Sequence, residues 1–300
     1  MRNSRNFLFF TESCRDGIKQ VLRTSSTPTK ILLPAYVGLS LVEGSGILDP
    51  VKESGTEFDF YEVDSNLDPE LTSLESQIIR FNPTHVLLVN YFGFLIGNRE
   101  SAFSILSKYP VCVIEDFAHL IEPLRDQQTI SMKASYEVYS LHKIIGAGLG
   151  GGALVSDKPN LPMEDTIPKS SLLHYTKSDL DYISEIRWKN FNHLEGKIDW
   201  NSKEIFTRFF SDGRRPIIPL NFPIKLSSKE LRHKLYEFLT ENRIFPTALY
   251  HRLVPEITQE RFPISVEIAN TVLNLPIHQD IGPKELNLMI KAMQRFCDGE

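Results

Sequence analysis

The sequence predicts an α/β fold built on an open, mostly parallel β-sheet, with a second, smaller domain. The first half of the chain alternates short, almost continuously apolar runs with helical patterns. Such runs are typical of strands buried on both faces, as in a parallel sheet covered by helices. The chain has 300 residues, 41% of them hydrophobic, which is enough for one large domain or two smaller ones. A sheet of this kind binds ligands at the carboxyl ends of its strands.

Six apolar runs in the first half are predicted to be strands of this sheet. They are Ile31–Tyr36, Phe58–Val63, His85–Phe92, Val111–Phe117, YEVYS at 136–140 and GALVSD at 152–157. Helices are expected between them. The helix over 68–81 is predicted to begin with Asp68 as its N-cap and Pro69 at its first position, since its leucines and isoleucines fall on one face.

The pattern changes after Asp157. Residues 158–169 are rich in proline and polar residues, which predicts a linker, and a helix is expected over 178–194. Short strands are predicted within 214–226. Ser227 and Glu230 have the spacing of a capping box, which predicts that the next helix begins there. We therefore expect a large domain over residues 1–160 and a smaller α/β domain over 161–300.

The composition disfavours several classes of function. The net charge is -5, and no group of lysines and arginines gathers on one predicted face, which argues against nucleic-acid binding. The three cysteines are scattered, which fits a reducing cytoplasm and gives no zinc spacing. No apolar run approaches the roughly 20 residues of a membrane helix. We expect a cytoplasmic protein without a metal or a membrane span.

The glycine-rich run GAGLGGG, at residues 146–152, formally contains the GxGxxG pattern of dinucleotide-binding proteins. That pattern indicates a dinucleotide site when it follows a strand and opens a helix. Here the run leads into a predicted strand instead. The glycines are better explained by a loop whose backbone passes close to something bulky.

Two charged residues stand where the ligand crevice of the sheet is expected. Asp116 ends a buried strand, and a carboxylate there needs a cation or hydrogen-bond donors. Alternatively, Asp116 is a helix cap or a turn residue. Together with His119 it has a spacing that could serve a metal, but no further ligands accompany the pair. Lys143 follows a predicted strand among small and apolar residues. Burial would lower its pKa and make its amine more nucleophilic, whereas the alternative is an ordinary surface lysine.

Taken together, these residues favour pyridoxal phosphate as the cofactor. An acid able to keep the pyridine nitrogen protonated and a lysine on a later loop of the same sheet are two requirements of that chemistry. The third requirement is a phosphate site. Ser13, Cys14 and Arg15 open a predicted helix, whose free backbone N–H groups and dipole favour phosphate.

Several segments of the chain resemble the DegT/DnrJ family of sugar aminotransferases, which has the fold-type I architecture of pyridoxal phosphate enzymes. VIEDFAH resembles the family segment whose Asp pairs with the pyridine nitrogen and whose later Gln or His lies near the ring hydroxyl. This implies those roles for Asp116 and His119. YSLHKIIGAGLGGGALVSD resembles the segment with a phosphate-binding serine and the lysine that binds the cofactor, which implies those roles for Ser140 and Lys143. FTESCRDGI resembles the phosphate loop at Ser13.

The resemblance has departures at individual positions. Cys14 replaces a glycine of the family and Arg15 a threonine, and Ser140 lies closer to Lys143 than is usual. For the aromatic residue that stacks on the cofactor ring, Tyr36 is the best candidate. The family also contributes an asparagine to the phosphate of the neighbouring subunit, and Asn190 stands at that point.

The resemblance implies an aminotransferase that is a homodimer. Glutamate would be the amino donor and a keto-sugar, carried on a nucleotide, the acceptor, in the synthesis of a polysaccharide or glycoconjugate. Two alternatives stay open. If the shortened loop moves the register by one residue, His142 would face the cofactor, as in members of the family that use pyridoxamine phosphate to dehydrate sugars. The second alternative is a degenerate homologue without cofactor that acts as a binding protein.

Overall fold

The computed structural model describes residues 7–24, 28–39, 46–120, 133–145, 150–156, 166–200 and 204–299. Two β-sheets organise this part of the chain. The large sheet contains β1 (Phe7–Thr11), β2 (Lys30–Pro34), β3 (Glu57–Tyr61), β4 (His85–Val89), β5 (Cys112–Phe117), β6 (Tyr136–Ser140) and β7 (Gly152–Ser156). Its strand order is β1-β7-β6-β5-β4-β2-β3. The helices between these strands are α1 (Cys14–Arg23), α2 (Leu48–Glu53), α3 (Leu71–Phe81), α4 (Arg99–Leu106) and α5 (His142–Ile145).

The middle of the large sheet is parallel, as the apolar runs predict. Strands β3, β2, β4, β5 and β6 run in one direction, while β7 is antiparallel to both β6 and β1. Strands β4, β6 and β7 are buried along their whole length. The register pairs Val89 with Asp116 and Asp116 with Val138, so the carboxyl ends of β4, β5 and β6 lie side by side.

One predicted strand is too long, for a local backbone reason. The run His85–Phe92 is extended only to Val89, because Tyr91–Gly93 form a short 3₁₀ turn in which Phe92 has a φ of 59°. This turn directs the chain away from the sheet just after Asn90. The side chain of Asn90 is fully buried at the edge where the site lies.

Two predicted helix starts are wrong. Helix α3 begins at Leu71 with Glu70 as its N-cap, whose carboxylate accepts the N–H groups of Thr72 and Ser73 at 3.1 and 2.6 Å. The side chain of Asp68, the expected cap, instead forms an ion pair with Arg214.

The helix predicted to begin at Ser227 starts one residue later than expected. The Leu231 N–H donates to the Ser228 hydroxyl at 3.1 Å, whereas the Ser227 hydroxyl donates to the carbonyl of Glu204.

The second half of the chain forms an antiparallel three-stranded sheet flanked by helices. Its strands are β8 (Phe206–Arg208), β9 (Phe222–Leu226) and β10 (Val272–Leu275), in the order β10-β9-β8. The helices are α6 (Lys169–Lys177), α7 (Leu180–Lys197), α8 (Lys229–Glu241), α9 (Pro263–Thr271) and α10 (Pro283–Asp298). The single helix expected over 178–194 is thus preceded by a second one. The domain boundary at residue 160 stays a prediction, since 157–165 lie outside the described residues.

The described helices do not include one that is both long and apolar enough to span a membrane.

Candidate active site

The carboxyl ends of β4, β5 and β6 and the start of α1 surround a cleft with about 610 Å³ of empty space. We call it the first cleft. Seven of the nine residues that the sequence suggests for a site line it: Ser13, Cys14, Arg15, Asp116, His119, Ser140 and Lys143. The other lining residues include His142, Asn90, Val89, Ala118 and Tyr250. The fold therefore brings together residues that lie up to 130 positions apart in the chain.

Asp116 lies near the end of β5 with its carboxylate at the first cleft. Its Oδ1 accepts the Ala118 N–H at 2.6 Å and the Cys14 thiol at 3.7 Å. Among the described residues, no donor reaches Oδ2. Burial raises the pKa of Asp116, while the Ala118 N–H and the positive charge of Lys143 act to lower it. A cation at Oδ2 would stabilise the ionised form. Asp116 is in part the turn residue of the alternative interpretation, because its Oδ1 accepts the N–H that closes the turn to Ala118.

Lys143 lies in the four-residue helix α5, directly after β6. Its side chain is half-buried, and its ammonium makes no hydrogen bond or ion pair with the described part of the chain. Burial lowers the pKa of Lys143, and the charge of Asp116 acts in the opposite direction. A partly desolvated amine without a partner is the state that favours attack on a carbonyl carbon.

His119 is buried between the turn after β4 and the first cleft. Its Nδ1 accepts the Phe92 N–H at 3.0 Å, and its ring stacks on that of Phe92 at a centroid distance of 6.2 Å. Burial, with Lys143 nearby, holds the pKa of His119 well below its usual range. The ring is therefore neutral, and with Nδ1 acting as the acceptor its proton is on Nε2. His119 can donate one hydrogen bond from Nε2.

The start of α1 forms the other end of the first cleft. Ser13 caps the helix, since its Oγ accepts the Asp16 N–H at 3.1 Å and its carbonyl accepts the Gly17 N–H. The backbone N–H groups of Cys14 and Arg15 have no partner within the helix. Together with the helix dipole they form an anion site.

Polar side chains surround this helix start. The Ser140 hydroxyl is hydrogen-bonded to His142 Nδ1 at 3.1 Å, and the Arg15 guanidinium is paired with Asp49 at 3.1 Å. Strand β7 supports the loop from behind, with Gly152 against the backbone of Ser13. This close approach explains one glycine of the glycine-rich run. Residues 146–149 of that run lie outside the described residues.

Two predicted site residues do not line the first cleft. Tyr36 is fully buried, and its hydroxyl donates to the carbonyl of Leu249 at 2.6 Å and accepts the Tyr250 N–H at 2.7 Å. Asn190 lies inside α7, and its amide donates to the carbonyls of Ile277, His278 and Ile281. Both side chains hold loops in place within the chain.

Tyr250 and Asn90 also line the first cleft, and no pattern in the sequence indicates either residue. Tyr250 lies in a loop of the second half of the chain, and a Cβ on Gly38 would lie 2.7 Å from its side chain. The glycine at position 38 therefore leaves room for the Tyr250 ring. Asn90 follows β4, and its amide contacts Glu115 Oε1 at 3.3 Å. Glu115 in turn forms a buried bidentate pair with Arg99, both contacts at 2.8 Å.

A second cleft, with about 930 Å³ of empty space, adjoins the first. The two share His119, Lys143 and Tyr250. The second cleft is otherwise lined by Arg187, Leu220, Asn221, Phe245, Thr247, Leu249, Pro276, Ile277 and His278. Lys143 thus reaches both spaces, whereas His142 lines only the first. The described residues contain no cluster of three or more His, Cys, Asp or Glu side chains suited to a metal.

No protein-family model matches the chain, and no curated protein sequence matches it. Solved structures do. NtdA from Bacillus subtilis, with bound PMP, is 15% identical, with a TM-score of 0.78 over 97% of this chain and 73% of that one. Sugar aminotransferase CalS13 from Micromonospora echinospora is 13% identical, with a TM-score of 0.72 over 96% and 87%.

A third solved structure carries the family name that the sequence motifs suggest. It is a DegT DnrJ EryC1 StrS aminotransferase from Brucella abortus, 14% identical, with a TM-score of 0.69 over 96% of this chain and 85% of that one. The chain therefore has the fold-type I architecture of pyridoxal phosphate-dependent aminotransferases. The resemblance to the DegT/DnrJ family is confirmed at the level of the fold.

Proposed function

We propose that the protein is a pyridoxal phosphate-dependent aminotransferase that moves an amino group from glutamate to a keto-sugar, carried on a nucleotide. The product would enter a polysaccharide or glycoconjugate. We further propose a cytoplasmic homodimer. The observation that carries the proposal is that three groups meet in the first cleft: a lysine amine without a partner among the described residues, a buried carboxylate and the start of a helix. The sugar aminotransferases of the same fold support it.

The residues of the first cleft fit the cofactor at each of its ends. The backbone N–H groups of Cys14 and Arg15 would bind the phosphate, with Ser140 beside them. Asp116 Oδ2 lacks a donor among the described residues and would bind the protonated pyridine nitrogen. The Asp116 carboxylate is buried, so its charge needs a cation such as a protonated ring nitrogen beside it. His119 would donate from Nε2 to the ring hydroxyl.

When bound, pyridoxal phosphate supplies an electron sink for the bond electrons of the substrate carbon. The protein supplies the rest. Lys143 Nζ, with its pKa lowered by burial, would bind the cofactor covalently until the amino group of the donor displaces it. The freed amine would then act as the base that takes the proton from the substrate carbon and as the acid that returns it. The Asp116 charge would keep the ring nitrogen protonated. Tyr250, at the boundary of the two clefts, would cover the ring on the side of the second cleft.

The position of Lys143 favours the aminotransferase over the dehydratase that His142 would imply. Lys143 lines both clefts and has no partner among the described residues, whereas His142 is hydrogen-bonded to Ser140 at the phosphate end. A residue that exchanges protons with a substrate has to reach the space where the substrate binds. The unpaired amine also argues against a degenerate homologue.

The first half-reaction tests this proposal. The protein is incubated with pyridoxal phosphate, freed of excess cofactor, and mixed with L-glutamate, after which pyridoxamine phosphate and 2-oxoglutarate are measured by chromatography. We expect stoichiometric conversion by the wild type and none by Lys143→Ala. Lys177→Ala, in an exposed helix, is the matched control and should behave as the wild type.

Each other outcome supports a different function. Cofactor retained without a covalent link, and unchanged by glutamate, would support the dehydratase. A protein that retains no cofactor would support the degenerate homologue. Conversion by Lys143→Ala at the wild-type rate would remove Lys143 from the proposal.

A further inference from the structure

Asn221 is a buried polar residue of the second cleft that has no partner in the part of the chain that the structure describes. It lies directly before β9 and is only 6% exposed. Its side-chain amide makes no hydrogen bond with the described residues. Its Oδ1 is inaccessible, so Nδ2 is the polar atom of this side chain that a ligand in the cleft can reach. A buried oxygen without a hydrogen-bond donor destabilises the folded protein. An unpaired Nδ2 donor in the cleft that Lys143 also lines can bind an acceptor atom of a ligand.

The second cleft offers few charges with which to bind an acid. Its described lining residues include one lysine, Lys143, and one arginine, Arg187. The guanidinium of Arg187 is already engaged, since it donates to Gln279 and to the carbonyls of Pro219, Leu220 and Ile144. Arg187 therefore stabilises the loops around the cleft. The part of the substrate that lies near Asn221 is accordingly expected to be neutral.

The remaining lining fits a polyhydroxylated ring. Phe245 is 67% exposed at the rim of the cleft and offers an apolar face, and Thr247 and His278 add polar groups. Nδ2 of Asn221 is a donor, and a sugar hydroxyl can accept a hydrogen bond from it. A site built to bind a hydroxyl group discriminates strongly against compounds without it, because its own polar group is then left unpaired.

We propose that Asn221 is a specificity-determining residue that binds a ring hydroxyl of the sugar substrate through its side-chain amide. This inference rests on the proposed function, and it adds the residue that recognises the sugar. Asn274 provides a matched control. It is also buried, at 1% exposure, and both polar atoms of its amide are unsatisfied, but it does not line the second cleft.

The experiment compares Asn221→Leu with Asn274→Leu in the loaded enzyme. Leucine has a similar shape, and it removes an unsatisfied amide, so neither variant should lose thermal stability. The donor half-reaction is measured with L-glutamate. The acceptor half-reaction is measured with a UDP-linked 4-keto-6-deoxyhexose and the pyridoxamine phosphate form. We expect the KM for this hexose to rise about 10-fold or more in Asn221→Leu, as for one lost hydrogen bond, with a smaller change in kcat. Asn274→Leu should keep the wild-type KM.

Three results would overturn the inference while leaving the proposed function standing. They are an unchanged KM in Asn221→Leu, a fall in its thermal midpoint that Asn274→Leu does not share, and a wild type that reacts with glutamate but not with the hexose. The second result would mean that the amide has a structural partner. Failure of the proposed function has a different signature, because the glutamate half-reaction would then be absent in the wild type as well.

Discussion

Replacing Gly152 with alanine should displace the phosphate end of the first cleft. Gly152 opens β7, and a Cβ added there would lie 2.4 Å from the carbonyl carbon of Ser13 and 2.6 Å from the backbone nitrogen of Cys14. Both contacts are with backbone atoms, so rotation of a side chain cannot relieve them. The loop that carries the proposed phosphate ligands has to move instead.

The size of the effect follows from these distances. Ordinary van der Waals contact begins at 3.4 Å, so the backbone of Ser13 has to retreat by about 1 Å. Overpacking of this kind costs about 1–3 kcal/mol. Charge-assisted hydrogen bonds contribute about 1.5–3 kcal/mol each, so the loss of one from Cys14 or Arg15 would weaken phosphate binding about 10- to 100-fold.

Equilibrium dialysis against pyridoxal phosphate measures this change in affinity, and thermal unfolding measures the loss of stability. Gly196→Ala is the control, because a Cβ on Gly196 in α7 meets nothing within 4 Å. It should keep the wild-type affinity, and the higher helix propensity of alanine should preserve or raise the stability. A dissociation constant for Gly152→Ala within twofold of the wild type would refute the assignment of the phosphate site to the start of α1.

Three further substitutions test individual charges. Asp116→Asn should slow amino transfer at least about 100-fold, and full activity would contradict the role of the charge. The variant should still bind the cofactor covalently on Lys143, as measured by borohydride reduction and peptide mapping. Arg99→Met leaves the Glu115 carboxylate buried without its bidentate partner, so the free energy of unfolding in urea should fall by about 3–5 kcal/mol, and a neutral effect would show that the pair is dispensable. Burial raises the pKa of Glu137 from 4.5 to about 7 in the folded protein. Between these pH values the carboxyl is ionised in the unfolded state but still protonated in the folded state. The free energy of unfolding of the wild type should therefore fall by about 3 kcal/mol as the pH rises from 4.5 to 7. Glu137→Gln should abolish that loss in urea titrations at several pH values, and an unchanged pH dependence would assign it to another group.

The sequence was sufficient to predict that Asp116, Lys143 and Ser13 lie at one site, although several ends of helices and strands were predicted wrongly. Asp116 lies near the end of one apolar strand and Lys143 follows the strand next to it, and the carboxyl ends of parallel strands meet at one edge. Ser13 precedes a helix whose apolar face is evident from its sequence. Local pattern and sheet geometry together therefore predict the first cleft.

The remaining features depend on long-range packing. Tyr250 and Asn221 come from loops and strands of the second half of the chain, and no local pattern indicates which of its side chains face the large sheet. Tyr36 has the right residue type near the right strand, but its hydroxyl binds the backbone at Leu249 and Tyr250, which fixes it in the interior. Asn190 likewise has three carbonyl partners inside the chain. Hydrogen bonds between residues far apart in sequence cannot be derived from either segment alone.

Covalent attachment of the cofactor tests the central claim most directly, namely that Lys143 and Asp116 face one cleft and bind opposite ends of a pyridoxal phosphate ring. The protein is loaded with pyridoxal phosphate, reduced with borohydride, digested and analysed by mass spectrometry. We predict that the reduced cofactor is found on Lys143 and on no other lysine. Modification at a different lysine, or none at all with cofactor present, would contradict the account.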